Sequence, residues 1–223
     1  MNLGTLKTHV INRVGNDAIG NVLTEFVNQV QNDITERYPF SWRETLPVTV
    51  TTIPNQAYIN ISAYLPNFGD PLDAVELSSP RKLIYSKQWD INLLDPSYVA
   101  AVPTRLGVPT NYNVDSSNCR MYFYPVPNGA YQVSVRYLKS APEIYNASAS
   151  LFIPSQFHHV VAAGVESFAW QLDEDLQSAN AANSRYEAGI QRMIEKENST
   201  SDNQPIMTSN QGFIDYSSPY QEF

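Results

Sequence analysis

Cysteine is nearly absent from this chain: Cys119 stands alone in 223 residues. That excludes an internal disulfide framework and any zinc site built from paired cysteines. Histidine is almost as rare, with three in all. Charge is sparse at 16% of residues, against about 25% in an ordinary soluble protein. Asn, Gln, Ser, Thr and Tyr must therefore make up much of the surface. No apolar run approaches the roughly 20 residues of a membrane-spanning helix, so no membrane partner is expected. The residues after Met1 lack a basic region followed by an apolar one, and no signal peptide is expected. The nine glycines form neither a phosphate loop nor a dinucleotide fingerprint. G-x-S-x-G and H-E-x-x-H are missing as well. Paired carboxylates need no sequence signature, but nothing positive marks a catalytic site, and no enzyme activity and no cofactor are expected.

The apolar share is 43%, enough for a real core, and tyrosine is abundant at 14 residues. Tyrosine combines apolar area with a polar tip, so a weakly charged, Tyr-rich surface suits extensive protein contacts. The net charge of −8 is uneven. Residues 1–80 hold four Lys/Arg against eight Asp/Glu, residues 81–140 seven against three, and residues 141–223 three against eleven. An acidic chain is poorly suited to phosphate-backbone binding, which needs Lys and Arg to replace counterions. It is compatible with lining a passage through which nucleic acid slides.

Periodicity divides the chain. Leu3, Leu6, Val10 and Val14 recur at helical spacing, and Gly15 is placed to stop that helix. Asp17 is the expected cap of a second helix with the face Ile19, Val22, Leu23, Phe26, Val27, Val30 and Ile34. Pro39 disfavours helix at Tyr38 and sets the end near Arg37. Phe40 and Trp42 are expected to be buried where helix gives way to sheet.

A period of two then takes over. Leu46, Val48 and Val50 predict a half-buried strand, and Pro54-Asn55 a turn from which Tyr58 to Ile61 pairs back. Leu72 to Leu77 reads as another strand, and Ser86 to Leu94 as a short helix or irregular segment. Asp95 to Asn111, with Pro96, Pro103 and Pro109, reads as an extended excursion. Met121 to Val126 and Tyr131 to Leu138 are the expected arms of a hairpin turning at Pro127-Asn128-Gly129, where Asn-Gly tolerates positive φ. Tyr131, Val133, Val135 and Tyr137 share one face of the second arm.

Helix returns after a polar loop, Ala141 to Ser150. Pro154-Ser155 opens a helix with the face Phe157, Val160, Val161, Gly164, Val165, Phe168 and Leu172. Asp173 to Asp175 separates it from a last helix carrying Leu176, Ala179, Asn183, Tyr186, Ile190 and Met193, a narrow seam suited to an antiparallel helix pair. Residues 199–223 are rich in Ser, Asn, Gln and Pro yet hold Phe213, Ile214, Tyr216, Tyr220 and Phe223. Pro205 and Pro219 oppose a continuous helix. This segment is expected to be an extended tail that orders on a partner, its aromatic residues filling pockets there.

The remaining candidate groups have plain explanations. His158 and His159 diverge by about 100° on a helix and do not face one metal easily. Asp173, Glu174 and Asp175 suit the N-terminus of the last helix; a calcium loop would need more oxygen ligands and a turn glycine. Cys119 is expected to be a buried strand cysteine. Arg81, Lys82 and Lys87 form a small basic patch, either solvated or meeting an acidic neighbouring subunit.

Several of these segments together resemble the head-to-tail adaptor proteins of short-tailed bacteriophages, the class of tail tubular protein A and the tail accessory factors. The likeness lies in the N-terminal helices leading into Tyr38-Pro39-Phe40-Ser41-Trp42, in Met121-Tyr122-Phe123-Tyr124-Pro125-Val126-Pro127, and in Tyr131 to Tyr137. Its strongest part is Ile153-Pro154-Ser155-Gln156-Phe157-His158-His159-Val160-Val161, followed by an Ala-rich helix and a polar one with Tyr186 and Met193. The resemblance implies a virion protein assembled in the host cytoplasm. It implies a ring of about twelve copies between the portal protein of the head and the nozzle protein of the tail, with DNA passing through the bore without specific binding.

The expected fold class is α+β. Residues 1–42 and 141–198 form a helical bundle, residues 43–140 an inserted, mainly antiparallel β-rich domain, and residues 199–223 the tail. An alternative function is a β-sandwich binding module for a glycan or receptor on a helical stalk. Exposed aromatics on a concave β-face would favour it.

Overall fold

A computed structural model describes residues 1–96 and 105–202 of the chain. The architecture is α+β: N- and C-terminal helices pack around one core, and the strands between them enclose a second.

Helix α1 spans Leu3–Val14. Asn2 caps it, its side chain accepting from Thr5 N while the Thr5 hydroxyl accepts from Asn2 N. Gly15 ends it at φ 78°, a left-handed conformation that glycine adopts without penalty. Next comes a 3-10 turn, Asp17–Asn21, and then α2, Leu23–Arg37. The expected single second helix is thus divided, and its first cap is Asn16, not Asp17: Asn16 accepts from Ala18 N. As expected, α2 ends at Arg37, with Tyr38 extended before Pro39. Phe40 is fully buried and Trp42 partly so.

The strands follow. They are β1 (Val48–Thr51), β2 (Tyr58–Asn60), the short helix α3 (Ile61–Tyr64), β3 (Phe68–Glu76), β4 (Arg81–Lys82), β5 (Ile84–Tyr85), helix α4 (Gln88–Leu94), β6 (Leu106–Gly107), β7 (Asn111–Asp115), β8 (Arg120–Tyr124), β9 (Val126–Pro127) and β10 (Gln132–Lys139). One sheet has the order β1-β10-β3-β4 and is antiparallel. The other has the order β2-β8-β7-β5, antiparallel except for β5 beside β7. Their facing sides meet in one core, with Val50, Ala74, Val133, Val135 and Tyr137 from the first and Ile59, Tyr112, Met121 and Phe123 from the second. Tyr122 and Tyr124 point the other way and are buried with Ile91 of α4. Strand β8 is therefore covered on both faces, which explains its nearly continuous apolar sequence.

The anticipated hairpin does not form. Its arms, β8 and β10, belong to different sheets. Pro125 and Pro127 cannot donate to a ladder, so the chain crosses between the sheets instead, and β9 within the crossing pairs with β6. The turn at Pro54-Asn55 is present, but it too joins the two sheets, because β2 pairs with β8 and not with β1. The two crossings lie side by side: Asn55 N donates to Pro127 O at 2.7 Å and Thr52 N to Tyr131 O at 2.9 Å. Leu46 lies outside β1 and is 86% exposed. Strand β7, within and beyond the expected excursion, is an addition to the sequence reading. Residues 97–104 of that excursion lie outside the described residues.

Ser155–Phe157 forms a 3-10 turn leading into α5, His158–Leu172. Helix α6 runs from Leu176 to Asp202. Helix α5 is the centre of the bundle, packed against α1, α2 and α6, and nine of its residues are buried. Leu172 and Leu176, expected on the apolar faces, are exposed at the α5–α6 corner. On α6 Ala182 is buried while Asn183 is exposed. The helix also passes the expected start of the tail at residue 199. No Gly or Pro stands before Pro205 to stop it, and extending a formed helix costs little.

Candidate functional site

Protein contacts are made by surfaces, and three surfaces stand out. The first is a cleft between α1 and α6 over α5, with a volume of about 500 Å³. At its base is Glu166, 2% exposed. It is the only Asp, Glu, Lys or Arg of α5. Arg185 Nη2 donates to its Oε2 at 2.8 Å, Arg13 Nε lies 3.2 Å from the same atom, and His9 Nε2 lies 3.4 Å from Oε1. The cations come from one-turn spacing on α1 (9 and 13) and from α6, so three helices are tied to one carboxylate. Each cation is about half exposed, which limits what each surface pair contributes. Arg192 and His159 also line the cleft. Neither has a hydrogen bond or ion pair among the described residues. Three guanidinium groups thus face one carboxylate.

The second surface is the outer face of α2. Glu25, Asn28, Gln29, Asn32, Asp33 and Glu36 share one stripe, and Glu143 and Tyr145 flank it, around a groove of about 570 Å³. No cation lines it. Asp33 is engaged by Arg37 at 2.9 Å and by the Tyr186 hydroxyl at 2.6 Å, and Glu143 accepts from Tyr145 Oη. Glu25 and Glu36 are exposed and have no ion pair among the described residues. Asn28 ties the 143–145 segment down, its side chain bonding both N and O of Ile144.

The third surface is apolar. Trp89 and Leu93, one turn apart on α4, are 75% and 74% exposed, with Ile84 and Tyr85 of β5 also exposed nearby in sequence.

The two cores are joined at Arg43. Its side chain is nearly buried, and burial is the main influence pushing its pKa down. It donates to Thr35 O at the end of α2 and to Lys139 O at the end of β10, and lies 3.8 Å from Asp70 of β3. Aromatic rings continue the joint, Tyr38 to Phe40 to Trp42 to Phe152. Helix α6 clasps it from outside: Glu197 accepts from Ser41 N and Asn198 from Tyr38 Oη.

Residues 1–209 match the family model described as SU10 adaptor protein. The chain belongs to that family. It is a bacteriophage structural adaptor, a component of the virion that contacts other head and tail proteins. No curated protein matches it.

The adaptor's other expected groups divide. Phe213, Ile214, Tyr216, Tyr220 and Phe223 lie outside the described residues. Cys119 is not a buried strand residue; it is exposed, at φ 51° in the turn between β7 and β8. Asp115 holds that turn by accepting from Ser117 N and Asn118 N, a feature of polar sequence that periodicity does not report. Both nitrogens of His158 are engaged. The Met1 ammonium, which has no acceptor, donates to Nδ1, so Nε2–H donates to Ile153 O. Burial pushes this imidazole's pKa down, only partly opposed by the Ile153 hydrogen bond. Asp175 caps α6 by accepting from Ser178 N, which pulls its pKa down. Arg81, Lys82 and Lys87 are exposed. Among the described residues no group of His, Cys, Asp and Glu could hold a metal, and no helix is long and apolar enough to cross a membrane. The Glu166 cluster escaped the sequence reading. Its one signal was a lone carboxylate in an otherwise apolar helix.

Proposed function

We propose that the adaptor works as a ring of about twelve copies, joining the portal vertex of the head to the tail nozzle and continuing the DNA channel. This makes it an adaptor of the tail tubular protein A or tail accessory factor type, assembled in the host cytoplasm. The observation that carries the reading is the family match over residues 1–209. The surface supports it. A ring subunit needs two lateral faces besides those toward head and tail, and this chain has a basic cleft, an acidic groove and an apolar ridge on separate elements. The net charge of −8 suits a bore that DNA passes without adhering. In this reading residues 1–42 and 141–198 act as one helical unit and residues 43–140 as an inserted β unit. The alternative, a glycan- or receptor-binding sandwich, draws no support: among the described residues the exposed aromatics Trp89, Tyr85, Tyr64 and Tyr145 sit on α4, an edge strand, α3 and the loop before α5, not on the central strands.

Attachment then falls to the tail. Phe213, Ile214, Tyr216, Tyr220 and Phe223 dock on the portal or a neighbouring subunit, weak contacts that multiply around a ring. Electron microscopy of the protein mixed with the portal of the same phage tests both parts. Rings on portals are expected from the full chain. Deletion of residues 203–223 leaves the two cores intact and weakens attachment strongly. Normal attachment by the truncated chain rejects the tail's role, and absence of any ring from the full chain rejects the whole reading.

A further inference from the structure

We infer that the α1–α6 cleft of one copy receives the acidic α2 face of the next, so that these two surfaces form the lateral contact of the assembly. The inference rests on the ring reading and specifies its interface.

Four observations support it. First, the cleft holds more positive charge than it neutralises. Arg13, Arg185 and Arg192 face the single carboxylate of Glu166, and Arg192 has no partner of its own among the described residues. Secondly, the α2 face carries the opposite excess. Among the described residues Glu25 and Glu36 have no ion pair, and Glu143 is answered by a hydroxyl. Thirdly, the two surfaces share no residue and lie on different helices of one bundle. A contact between them is therefore heterologous, the kind that closes a ring when its rotation divides a full turn. Fourthly, both rows run along helices at whole-turn spacing, so each stays on one face. Arg185 and Arg192 are two turns apart on α6, and Glu25 and Glu36 three turns apart on α2, so rows of opposite charge can be laid together. Complementary rows of this kind fix register and suppress wrong pairings.

The acidic residues on the tail are a competing occupant, and the test separates the two. Arg192→Glu reverses the charge at the cleft's unpartnered arginine and cancels the cleft's positive excess without removing a partner of Glu166. Glu25→Lys with Glu36→Lys reverses the α2 face at exposed positions. Each variant alone sets like charge against like at the substituted positions of every lateral contact, and its assembly should weaken about tenfold or more. Mixed in equal amounts, the two variants should assemble again, because strict alternation pairs every reversed cleft with a reversed face. Native mass spectrometry of the mixture should show equal numbers of the two chains in each ring. Proper folding of both variants is checked by circular dichroism.

Wild-type-like assembly of either variant alone overturns the inference while leaving the ring reading intact. So does failure of the mixture to recover. If only Arg192→Glu is impaired, and deleting residues 203–223 impairs assembly equally, the cleft holds the tail and the α2 contact is rejected. A wild-type chain that forms no ring, alone or on its portal, rejects the ring reading and the interface with it.

Discussion

Gly164 is a tightly packed point of the helical bundle, and replacing it with alanine should loosen the protein. A Cβ built there would lie 2.9 Å and 3.0 Å from Cε2 and Cδ2 of Tyr186, and 3.0 Å from Cγ1 of Val30. Carbon atoms normally rest about 3.5–4.0 Å apart, so both α2 and α6 would have to yield. Tyr186 cannot simply swing away. It is 5% exposed, and its hydroxyl donates to Asp33 Oδ2 at 2.6 Å. Burial, reinforced by that carboxylate, pushes the phenol's pKa well up, so it stays a neutral donor. Overpacking of this kind costs about 1–3 kcal/mol. Alanine recovers about 1 kcal/mol of that through its better helix propensity. The net expectation for Gly164→Ala is a loss of up to about 2 kcal/mol. Urea unfolding followed by circular dichroism should show a lower midpoint with unchanged slope. The protein must be dilute enough to be unassembled, since assembly adds apparent stability. Adding Val30→Ala should make the pair less damaging than the sum of its parts. A Gly164→Ala variant about 1 kcal/mol more stable than wild type, the full helix-propensity gain with no packing cost, would refute the packing argument.

Other perturbations have equally definite outcomes. Arg43→Met should destabilise the protein by about 2–3 kcal/mol, because the buried carbonyl of Thr35 and the part-buried one of Lys139 lose their donor; differential scanning calorimetry should register it. Burial would raise the pKa of Glu76, but hydrogen bonds from Ser79 and Ser78 outweigh it and bring the value down to about 2, from 4.5. Its stabilising effect is therefore complete above pH 4.5 and is lost as pH falls from there through 2; Glu76→Gln should flatten that part of the stability curve. Tyr186→Phe should cost about 0.5–1.5 kcal/mol in the same urea assay, from the lost hydrogen bond to Asp33. Ring assembly should weaken between low and high salt, as expected of exposed charges screened beyond about 10 Å at 0.1 M; salt-independent assembly measured by sedimentation would contradict a charged interface.

The helices were legible because each signal was local. Gly15 stops α1 and Pro39 stops α2, through contacts within a few residues. Alternation along Val133, Val135 and Tyr137 likewise showed which side of β10 is buried. Pairing was not legible. Two strands joined by a short turn can share a sheet or face each other across a core, and both arrangements bury the same alternate residues. Here the two prolines of β8–β10 decide for the second, a consequence of donors missing at 125 and 127. The Glu166 cluster was hidden for a related reason. Its members come from positions 9, 13, 166 and 185, and only the packing of α1 and α6 on α5 assembles them.

That cluster also shows how one fold can stabilise itself and still keep charge available for a partner. A buried carboxylate without cations would be costly, so Glu166 demands at least one arginine. Two arginines and a histidine surround it, each about half in solvent. Satisfying Glu166 therefore leaves positive charge at the surface, where Arg192 adds to it. On α2 the balance is reversed, since Arg37 answers Asp33 and Glu187 but leaves Glu25 and Glu36 unpaired. Neither imbalance is needed to hold the bundle together, whose core is apolar. Surplus charge of opposite sign on two faces of one rigid unit has its physical use between copies. Neutralising it singly, with Arg192→Ala or Glu36→Ala, should leave thermal stability within about 0.5 kcal/mol of wild type while weakening assembly. If those substitutions instead lower stability and leave assembly unchanged, the charges serve the subunit and not its neighbours.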